Sequence, residues 1–307
     1  MPRRSLFPQP ANFKTMTPVA NLNRRVFLQS LSATALVAAA SPAWAAASTA
    51  IGVQLYTLRG DLANDLVGTL AAVRKIGIEN VETFPAVYNH PPEELRKIIA
   101  DAGLKCPSGH FDYDKLDEGL DYAQKLGLSF VVCSALPGAL RNADGFVQAA
   151  KRFNELGAKA KSMGMKLGFH NHNFEFAQIA STSESVPPTT GLNLLLSGTD
   201  PKLVYWEEDC YWVAQSGNDP LEYLKQYEHR VALLHIKDRL PNAPVTFVQG
   251  KQSQFFTEVG TGTIAWPPIL KIARETGALI FIEQDVTAIP ALESLAISYR
   301  NLRKYLG

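Results

Sequence analysis

From residue 51 onward, the chain repeats one pattern: a short apolar segment, a turn, and an amphipathic helix. Short apolar segments are typical of buried strands, whereas apolar residues spaced three and four apart indicate helices. A strand that is followed by a helix and then by another strand forms a parallel pair with a crossover helix. The pattern therefore predicts a parallel sheet that is covered by helices.

Eight such units fit into the segment that follows residue 50. The first four predicted strand–helix pairs are Ile51–Leu55 with Leu62–Ile76, Asn80–Phe84 with a helix through Ala102, Leu104–Phe111 with Asp114–Lys125, and Ser129–Ser134 with Asp144–Met163. The remaining predicted strands are Lys166–His170, Leu203–Asp209, Val231–Ile236 and Leu279–Glu283, and the last predicted helix is Leu292–Tyr305. Eight units in about 255 residues is the usual size of a closed (β/α)8 barrel.

An open, doubly wound sheet is the competing architecture for such a pattern. It usually carries a glycine-rich phosphate loop directly after its first strand, and the segment 54–58, Gln-Leu-Tyr-Thr-Leu, contains no glycine. We therefore predict an α/β fold with one domain, a single (β/α)8 TIM barrel. Two connections, 176–191 and 238–265, are long and carry no obvious element, which is typical of loops that cover an active site.

The first 45 residues differ in composition from the rest of the chain. They contain five basic residues and no acidic one, and the pair Arg24-Arg25 precedes a mildly apolar stretch over 31–40. The small-x-small sequence Ala43-Trp44-Ala45 follows, as at a signal peptidase site. The apolar stretch is shorter than the roughly 20 residues that span a bilayer, which argues against an uncleaved anchor. We predict a cleaved twin-arginine signal peptide over 1–45 and a mature domain over 46–307.

Removal of residues 1–45 changes the charge of the protein. The whole chain carries 30 Lys and Arg against 29 Asp and Glu, whereas the mature domain keeps 25 basic residues against the same 29 acids, a net charge of −4. A slightly acidic protein has no electrostatic basis for binding nucleic acid or an anionic membrane. We expect a periplasmic or secreted protein that contacts the twin-arginine export machinery and has neither a stable membrane anchor nor a nucleic-acid partner.

In (β/α)8 barrels the chemistry lies at the carboxyl ends of the strands, and four successive predicted strands end in carboxylates or imidazoles. Strand five runs into His-Asn-His-Asn-Phe-Glu over 170–175, and strand six ends in Glu-Glu-Asp over 207–209. Strand seven continues as His-Ile-Lys-Asp over 235–238, and strand eight ends in Glu-Gln-Asp over 283–285. Carboxylates together with imidazoles suit a divalent ion such as Mn²⁺, Mg²⁺, Co²⁺ or Zn²⁺.

Each of these residues, taken alone, has an ordinary structural interpretation. A single strand-end histidine such as His235 is more often a hydrogen-bonded structural residue than a ligand, and Asp209 could cap the helix that follows it. Four such residues on adjacent strand ends, on the face where these folds build their sites, favour a functional site instead.

The motifs around these residues resemble the xylose-isomerase-like TIM barrels, a group also called sugar phosphate isomerases/epimerases. The resemblance lies in Asp-Cys-Tyr-Trp-Val from Asp209, in Leu-Leu-His-Ile-Lys-Asp around His235, in Ile-Glu-Gln-Asp around Glu283, and in the segments 168–176 and 258–266. In that family a Glu, an Asp, a His and a second Glu from the last four strands hold one divalent metal ion. The resemblance therefore implies Asp209, His235 and Glu283 as metal ligands.

The resemblance leaves the strand-five ligand open. Many relatives have Glu-Asn-His at this point, where this chain has His170-Asn171-His172. Glu175 could reach back from three residues further on, or one of the two histidines could bind the ion. We favour Glu175, because it keeps the usual charge of the ligand set, so the predicted ligands are Glu175, Asp209, His235 and Glu283.

A divalent ion with open positions binds a sugar carbonyl and its neighbouring hydroxyl, and it stabilises the enediolate that forms when the α-proton leaves. His170 is the predicted base beside the ion, and Glu175 is the second choice. Lys237 is two residues after His235 and so on the same strand face, where it could bind a hydroxyl or stabilise the oxyanion. Further predicted substrate contacts come from other residues near the strand ends: Gln54, Tyr56, Glu82, His110, His172 and Trp206.

The sequence contains neither a glycine-rich loop nor a cluster of lysine and arginine that would indicate a phosphate site. The predicted substrate is therefore an unphosphorylated sugar or keto-sugar, and the predicted reaction is isomerisation or epimerisation. The resemblance also leaves open a lyase or hydratase that acts on 3-keto-glycosides. A non-catalytic sugar-binding protein is a further alternative, whereas the abasic-DNA endonucleases that share the fold do not fit the acidic charge.

The export prediction is tested by replacing both arginines of the pair, Arg24→Lys and Arg25→Lys. Lysine keeps the positive charge but lacks the planar guanidinium of the twin-arginine signal. We expect the precursor to remain in the cytoplasm and the mature form to be absent from the periplasmic fraction, as measured by fractionation and immunoblotting. Unchanged export of the double variant would contradict this route.

Overall fold

The computed structural model describes residues 50–179, 188–250 and 254–307, and the predicted signal peptide lies outside these ranges. Eight parallel strands close into a barrel in which each strand pairs with the next along the chain and the last pairs with the first. These strands, β1 to β8, are Ile51–Gln54, Asn80–Thr83, Lys105–Phe111, Phe130–Cys133, Lys166–His170, Val204–Asp209, Val231–Ile236 and Leu279–Ile282. The predicted (β/α)8 TIM barrel is confirmed.

Each barrel strand is followed by at least one α-helix. Within the described residues the helices, α1 to α10, are Arg59–Asn64, Leu66–Ile76, Pro92–Asp101, Leu116–Leu126, Ala143–Ser162, Gly191–Gly198, Cys210–Gln215, Pro220–Tyr227, Trp266–Thr276 and Ala291–Leu306. In the part of the chain that the structure describes, none of them is both long and apolar enough to cross a membrane.

Short polar side chains and glycines set the ends of the helices. The Asp65 carboxylate accepts a hydrogen bond from the Gly68 N–H at 2.9 Å and so caps α2. This cap divides the single helix predicted over 62–76 into α1 and α2. Gly77 ends α2 with a φ of 113°, a conformation that glycine adopts without the steric cost of a Cβ atom.

Apolar side chains fill the barrel beneath its carboxyl end. A buried cluster separate from the main core is formed by Phe130, Val132, Leu233 and Phe281. Side chains on a strand alternate between its two faces, so His235, two residues after Leu233, points to the same side as this cluster. The polar residues at the carboxyl ends of the strands therefore lie above an apolar floor.

The two long connections contain short antiparallel ribbons that the sequence did not predict. Gln178–Ile179 pairs with Thr189–Thr190 in the first connection, and Asp238–Arg239 pairs with Phe256–Thr257 in the second. Strands of two residues are too short for a hydrophobic period to indicate them.

The buried Asp238 carboxylate organises the second connection. It accepts hydrogen bonds from the backbone N–H groups of Gly260, Gly262 and Ile264 and from the Trp266 indole, at 2.8–3.2 Å. A Cβ atom at Gly262 would lie 2.3 Å from Asp238 Oδ1, so glycine is needed for the backbone to approach the carboxylate. The connection is thereby anchored to the carboxyl end of β7.

Candidate active site

A cavity of about 400 Å³ opens at the carboxyl ends of the strands. This volume is within the range of small-molecule sites. The polar part of its wall includes His110, Asp112, His170, His172, Lys237, Gln249, Glu283 and Asp285. Three of the four strand ends that the sequence identified, those of β5, β7 and β8, therefore meet at one cavity.

Two overlapping groups of side chains at this cavity bring potential ligand atoms within 4.8 Å of one another. The first group is Asp209, His235 and Glu283, and the second is His110, His170, Glu207 and His235. All of these residues are buried, and His235 belongs to both groups. The first group contains three of the four predicted metal ligands.

His235 lies between carboxylates on both sides of its ring. Its Nδ1 is 2.8 Å from a Glu283 oxygen, and its Nε2 is 2.6 Å from a Glu82 oxygen. Burial alone would lower the pKa of His235, but the charges of Glu207 and Glu283 outweigh this effect and raise that pKa well above its usual value. The surroundings of His235 therefore stabilise positive charge.

The Lys237 ammonium lies among three carboxylates. Its Nζ is 2.8 Å from Asp209, 2.5 Å from Glu283 and 2.8 Å from Asp285. Burial lowers the pKa of this amine, but the neighbouring carboxylates, Asp209 first, raise it well above its usual value. The position of the ammonium agrees with the prediction that Lys237 lies on the same face as His235. The ammonium lies between Asp209 and Glu283, so the space between these carboxylates accommodates a cation.

Asp209 uses its two carboxylate oxygens for different purposes. Oδ1 accepts a hydrogen bond from the Trp212 N–H at 2.9 Å and caps α7. Oδ2 faces the site, 3.6 Å from His170 Nε2 and 3.8 Å from His235 Nδ1. Burial raises the pKa of Asp209 to about 6, although the Lys237 charge acts in the opposite direction. The structural and the functional interpretations therefore apply to the same side chain.

Glu175 lies outside both groups of potential ligands. Its buried carboxylate accepts a hydrogen bond from the His172 N–H at 2.8 Å, within a short 3-10 turn, Phe174–Phe176, that follows β5. The side chain thus binds its own local backbone and does not reach back to the cluster. The geometry does not support Glu175 as the fourth ligand or as the second candidate base.

His170 takes the position that the sequence argument gave to Glu175. Its Nδ1 is 3.1 Å from Glu207, and its Nε2 is directed at Asp209. An Nδ1–H donated to Glu207 would leave the Nε2 electron pair facing the site, as in a metal-binding histidine that a carboxylate orients. Burial lowers the pKa of His170 to about 3, so the imidazole is neutral but a weak proton acceptor. The assignment of His170 as the base stays a prediction.

Glu207 is a site residue that the sequence argument did not select. It is two residues before Asp209, so both point to the inner face of β6. Its Oε2 contacts three imidazoles, at 2.6 Å from His110, 3.1 Å from His170 and 3.3 Å from His235. Burial would raise the pKa of Glu207, but the charges of His235 and His110 hold it well below its usual range. The period of two along β6 was the signal that could have identified this residue.

Trp206 is not a substrate contact. It precedes Glu207 and therefore points to the outer face of β6, where it is fully buried. Its indole N–H donates a hydrogen bond to Asn171 Oδ1 at 2.9 Å, and the same oxygen accepts the Asp209 N–H at 2.9 Å. The prediction for Trp206 was wrong because the side chain belongs to the packing between β5 and β6.

The other predicted substrate contacts divide into two layers. Tyr56, His110 and His172 line the cavity, and their contact with substrate stays a prediction. Gln54 and Glu82 are fully buried, and the Gln54 amide donates a hydrogen bond to Glu82 at 2.9 Å. These two residues therefore support His235 from below.

A (β/α)8 barrel with buried carboxylates and imidazoles at its carboxyl end is the arrangement that metal-assisted enzymes of this fold use. The chain belongs to the xylose isomerase-like TIM barrel family, whose model matches residues 70–304.

Three relatives illustrate the similarity. The chain is 34% identical over 155 residues to an inosose dehydratase from Clostridium botulinum (strain Alaska E43 / Type E3), and this match covers 47% of this chain and 49% of that protein. It is 32% identical over 163 residues to an inosose dehydratase from Clostridium perfringens (strain 13 / Type A), which covers 50% and 52%. The chain thus spans about half the length of the curated relatives it matches. A solved structure of a sugar phosphate isomerase/epimerase from Parabacteroides distasonis ATCC 8503 is 26% identical, with a TM-score of 0.70, and covers 86% of this chain and 97% of that one.

The buried Glu175 predicts a pH dependence of stability. Burial raises the pKa of Glu175 from 4.5 to about 8, so the folded state keeps a proton that the unfolded state releases between these values. The contribution of this group is fully favourable below pH 4.5 and is lost as the pH rises to 8, at up to about 1.4 kcal/mol per pH unit. Glu175→Gln should remove this loss, because the amide does not titrate and its oxygen can still accept the His172 N–H.

We compare the free energy of unfolding of Glu175→Gln with that of the wild type. We expect the variant-minus-wild-type difference to be larger at about pH 8 than at about pH 5, by roughly 2–4 kcal/mol. Urea unfolding at the two pH values measures it. Glu155→Gln, a change at an exposed glutamate, is the matched control and should show no such increase. An equal response of the two variants would contradict the assignment.

Proposed function

We propose that this protein is a metal-dependent lyase that acts on an unphosphorylated keto-sugar or keto-cyclitol. It removes the α-proton next to the ketone and expels an oxygen from the β-carbon. The observation that carries the proposal is the pair Lys237 and Asp285 in the cavity wall, in contact with each other and directly beside the buried group of Asp209, His235 and Glu283. The names of the two inosose dehydratases support elimination as the reaction.

The residues present fit a divalent ion. They offer carboxylate oxygens and imidazole nitrogens, and neither group includes a cysteine, a donor set that suits Mn²⁺, Mg²⁺, Co²⁺ or Zn²⁺. Asp209 Oδ2 is buried and lies 2.8 Å from the Lys237 ammonium, so this oxygen already faces positive charge. The proposed ligands are His170, Asp209, His235 and Glu283. A bound ion would supply Lewis acidity toward the substrate carbonyl.

Proton transfer falls to Asp285 and Lys237. Asp285 lies outside both ligand groups and its side chain is 23% exposed at the cavity. Its partial removal from water raises the pKa of its carboxyl despite the Lys237 charge. A carboxylate with a raised pKa is a stronger base than an ordinary one, so we assign it the α-proton. Lys237 Nζ, 2.8 Å from Asp285 Oδ1, donates a proton to the departing oxygen.

The balance of the reaction follows from these two roles. The electron pair of the C–H bond becomes the new C=C bond as the β C–O bond breaks, and the oxygen leaves as water or as an alcohol. Asp285 ends protonated and Lys237 ends neutral, and a proton that crosses their hydrogen bond restores both. Because the two groups are neighbours, the proton and the oxygen leave from the same face of the substrate.

Epimerisation is the second candidate, and the solved isomerase/epimerase structure favours it. It begins with the same removal of the α-proton but returns a proton to the carbon and leaves the β-oxygen in place. Both candidates include the export predicted from residues 1–45, and we therefore propose a periplasmic or secreted enzyme.

The reaction is tested with the metal-loaded protein in deuterated water. An inosose and a 3-keto-glucoside are offered, and NMR together with ultraviolet absorbance follows enone formation and deuterium uptake. We expect an enone with release of water or alcohol, and Asp285→Asn should lower turnover by about 10²–10⁴-fold. The control Asp112→Asn changes another cavity aspartate and should have a much smaller effect. Deuterium uptake without an enone would assign the protein as an epimerase. The absence of both signals would reject both reactions.

The ligand set is tested by metal binding, independently of turnover. His170→Gln should weaken Mn²⁺ binding by about 10–100-fold or more, because it removes a nitrogen ligand. His172→Gln is the matched control, since His172 lines the cavity but lies outside both ligand groups. Isothermal titration calorimetry measures both. If His170→Gln keeps the metal and loses only turnover, the original prediction of His170 as the base is correct and the ligand assignment is wrong.

A further inference from the structure

The cavity has two unlike sides. Imidazoles, carboxylates and the Lys237 ammonium occupy the sides formed by the ends of β3, β5, β7 and β8. The side formed by the ends of β1 and β2 is mostly apolar and consists of Tyr56, Phe84, Pro85 and Ala86. A pocket that served only a polyol ring would benefit from hydrogen-bonding groups all round, so the apolar side calls for a different part of the ligand.

The volume of the cavity also exceeds the needs of one ring. At about 30 Å³ for each water molecule, 400 Å³ holds roughly 13 waters. A hexose or cyclitol has about twelve non-hydrogen atoms, and covalent bonds bring these closer together than waters in the liquid, so one ring fills roughly half of the space. A ring that reacts between Lys237 and Asp285 therefore leaves room on the apolar side.

Tyr56 is held as a rigid, exposed platform on that side. Its ring packs edge-on against Phe84 at a centroid distance of 5.6 Å, and the Arg59 guanidinium lies 4.3 Å from the ring centroid. Arg59 also donates a hydrogen bond to the Tyr56 carbonyl at 2.9 Å, and the Tyr56 N–H donates to Gln54 at 3.1 Å. An aromatic ring that is fixed in this way yet 39% exposed is preorganised to pack against a ligand.

We propose that Tyr56, Phe84, Pro85 and Ala86 form a second subsite that takes an aromatic or otherwise apolar aglycone, so that the natural substrate is a glycoside of the keto-sugar. The subsite rests on the proposed function for the identity of the reacting ring. The aglycone packs against the Tyr56 ring and remains open to solvent at its outer edge, because Pro85 and Ala86 are exposed.

Binding of glycosides that do not react tests the subsite without any turnover. Phenyl β-D-glucopyranoside and methyl β-D-glucopyranoside are titrated into the full-length, Mn²⁺-loaded protein by calorimetry. We expect the phenyl glycoside to bind about ten-fold or more tightly, because its ring loses apolar surface to the subsite. Tyr56→Ala should bring the ratio of the two dissociation constants close to one, and Tyr56→Phe should retain it.

Tyr305→Ala is the matched control, since Tyr305 is equally exposed at 39% but lies outside the cavity wall, and it should keep the wild-type ratio. Circular dichroism shows whether each variant is folded. A wild-type ratio near one, or an unchanged ratio in folded Tyr56→Ala, would overturn the subsite. A normal ratio in a protein that produces neither enone nor deuterium exchange would reject the proposed reaction and leave the subsite standing.

Discussion

The site depends on the burial of several carboxylates around one imidazole. His235 contacts Glu82 of β2 through its Nε2 and Glu283, which follows β8, through its Nδ1. Glu207 of β6 also lies 3.3 Å from the Nε2. Burying such charges is costly unless each has a partner. The partners come from strands that are far apart in sequence, so the cluster can exist only when the barrel closes. Loss of the imidazole would leave buried carboxylates facing one another.

The barrel itself could be predicted from the sequence because each strand and helix has a local period and a local stop signal. The site could be predicted only as far as that period extends. Alternation along β7 gave Lys237 correctly from His235, and the same rule applied to β6 would have added Glu207 and removed Trp206. Lys237 directly follows β7, and further into a turn the rule no longer applies, because backbone bonds there decide where a side chain goes.

Glu175 and His170 illustrate that limit. Counting carboxylates favoured Glu175, but the turn after β5 commits its carboxylate to the His172 N–H. No sequence pattern reports such a local hydrogen bond. His170 is the last residue of β5, still within the alternating part of the chain, and so it points into the barrel between Glu207 and Asp209.

The carboxyl end of β7 links the buried cluster to the cavity wall through consecutive residues. His235 belongs to the cluster, Lys237 reaches the cavity, and Asp238 anchors the connection that follows. That connection supplies Gln249 to the cavity wall, where the Arg141 guanidinium donates a hydrogen bond to its side chain at 3.0 Å. The Asn173 amide, beyond β5, holds the same segment through the carbonyl of Thr246 at 2.7 Å.

The connection that follows β7 therefore contributes to the site through Gln249. Hydrogen bonds from Arg141 and from Asn173 hold its described part. Since Asp238 adjoins Lys237 in the chain, the hydrogen bonds that hold the loop also restrain the backbone that carries the ammonium. The hydrogen bonds of Asp238 thus restrain the backbone next to Lys237, the residue to which we assign a proton transfer.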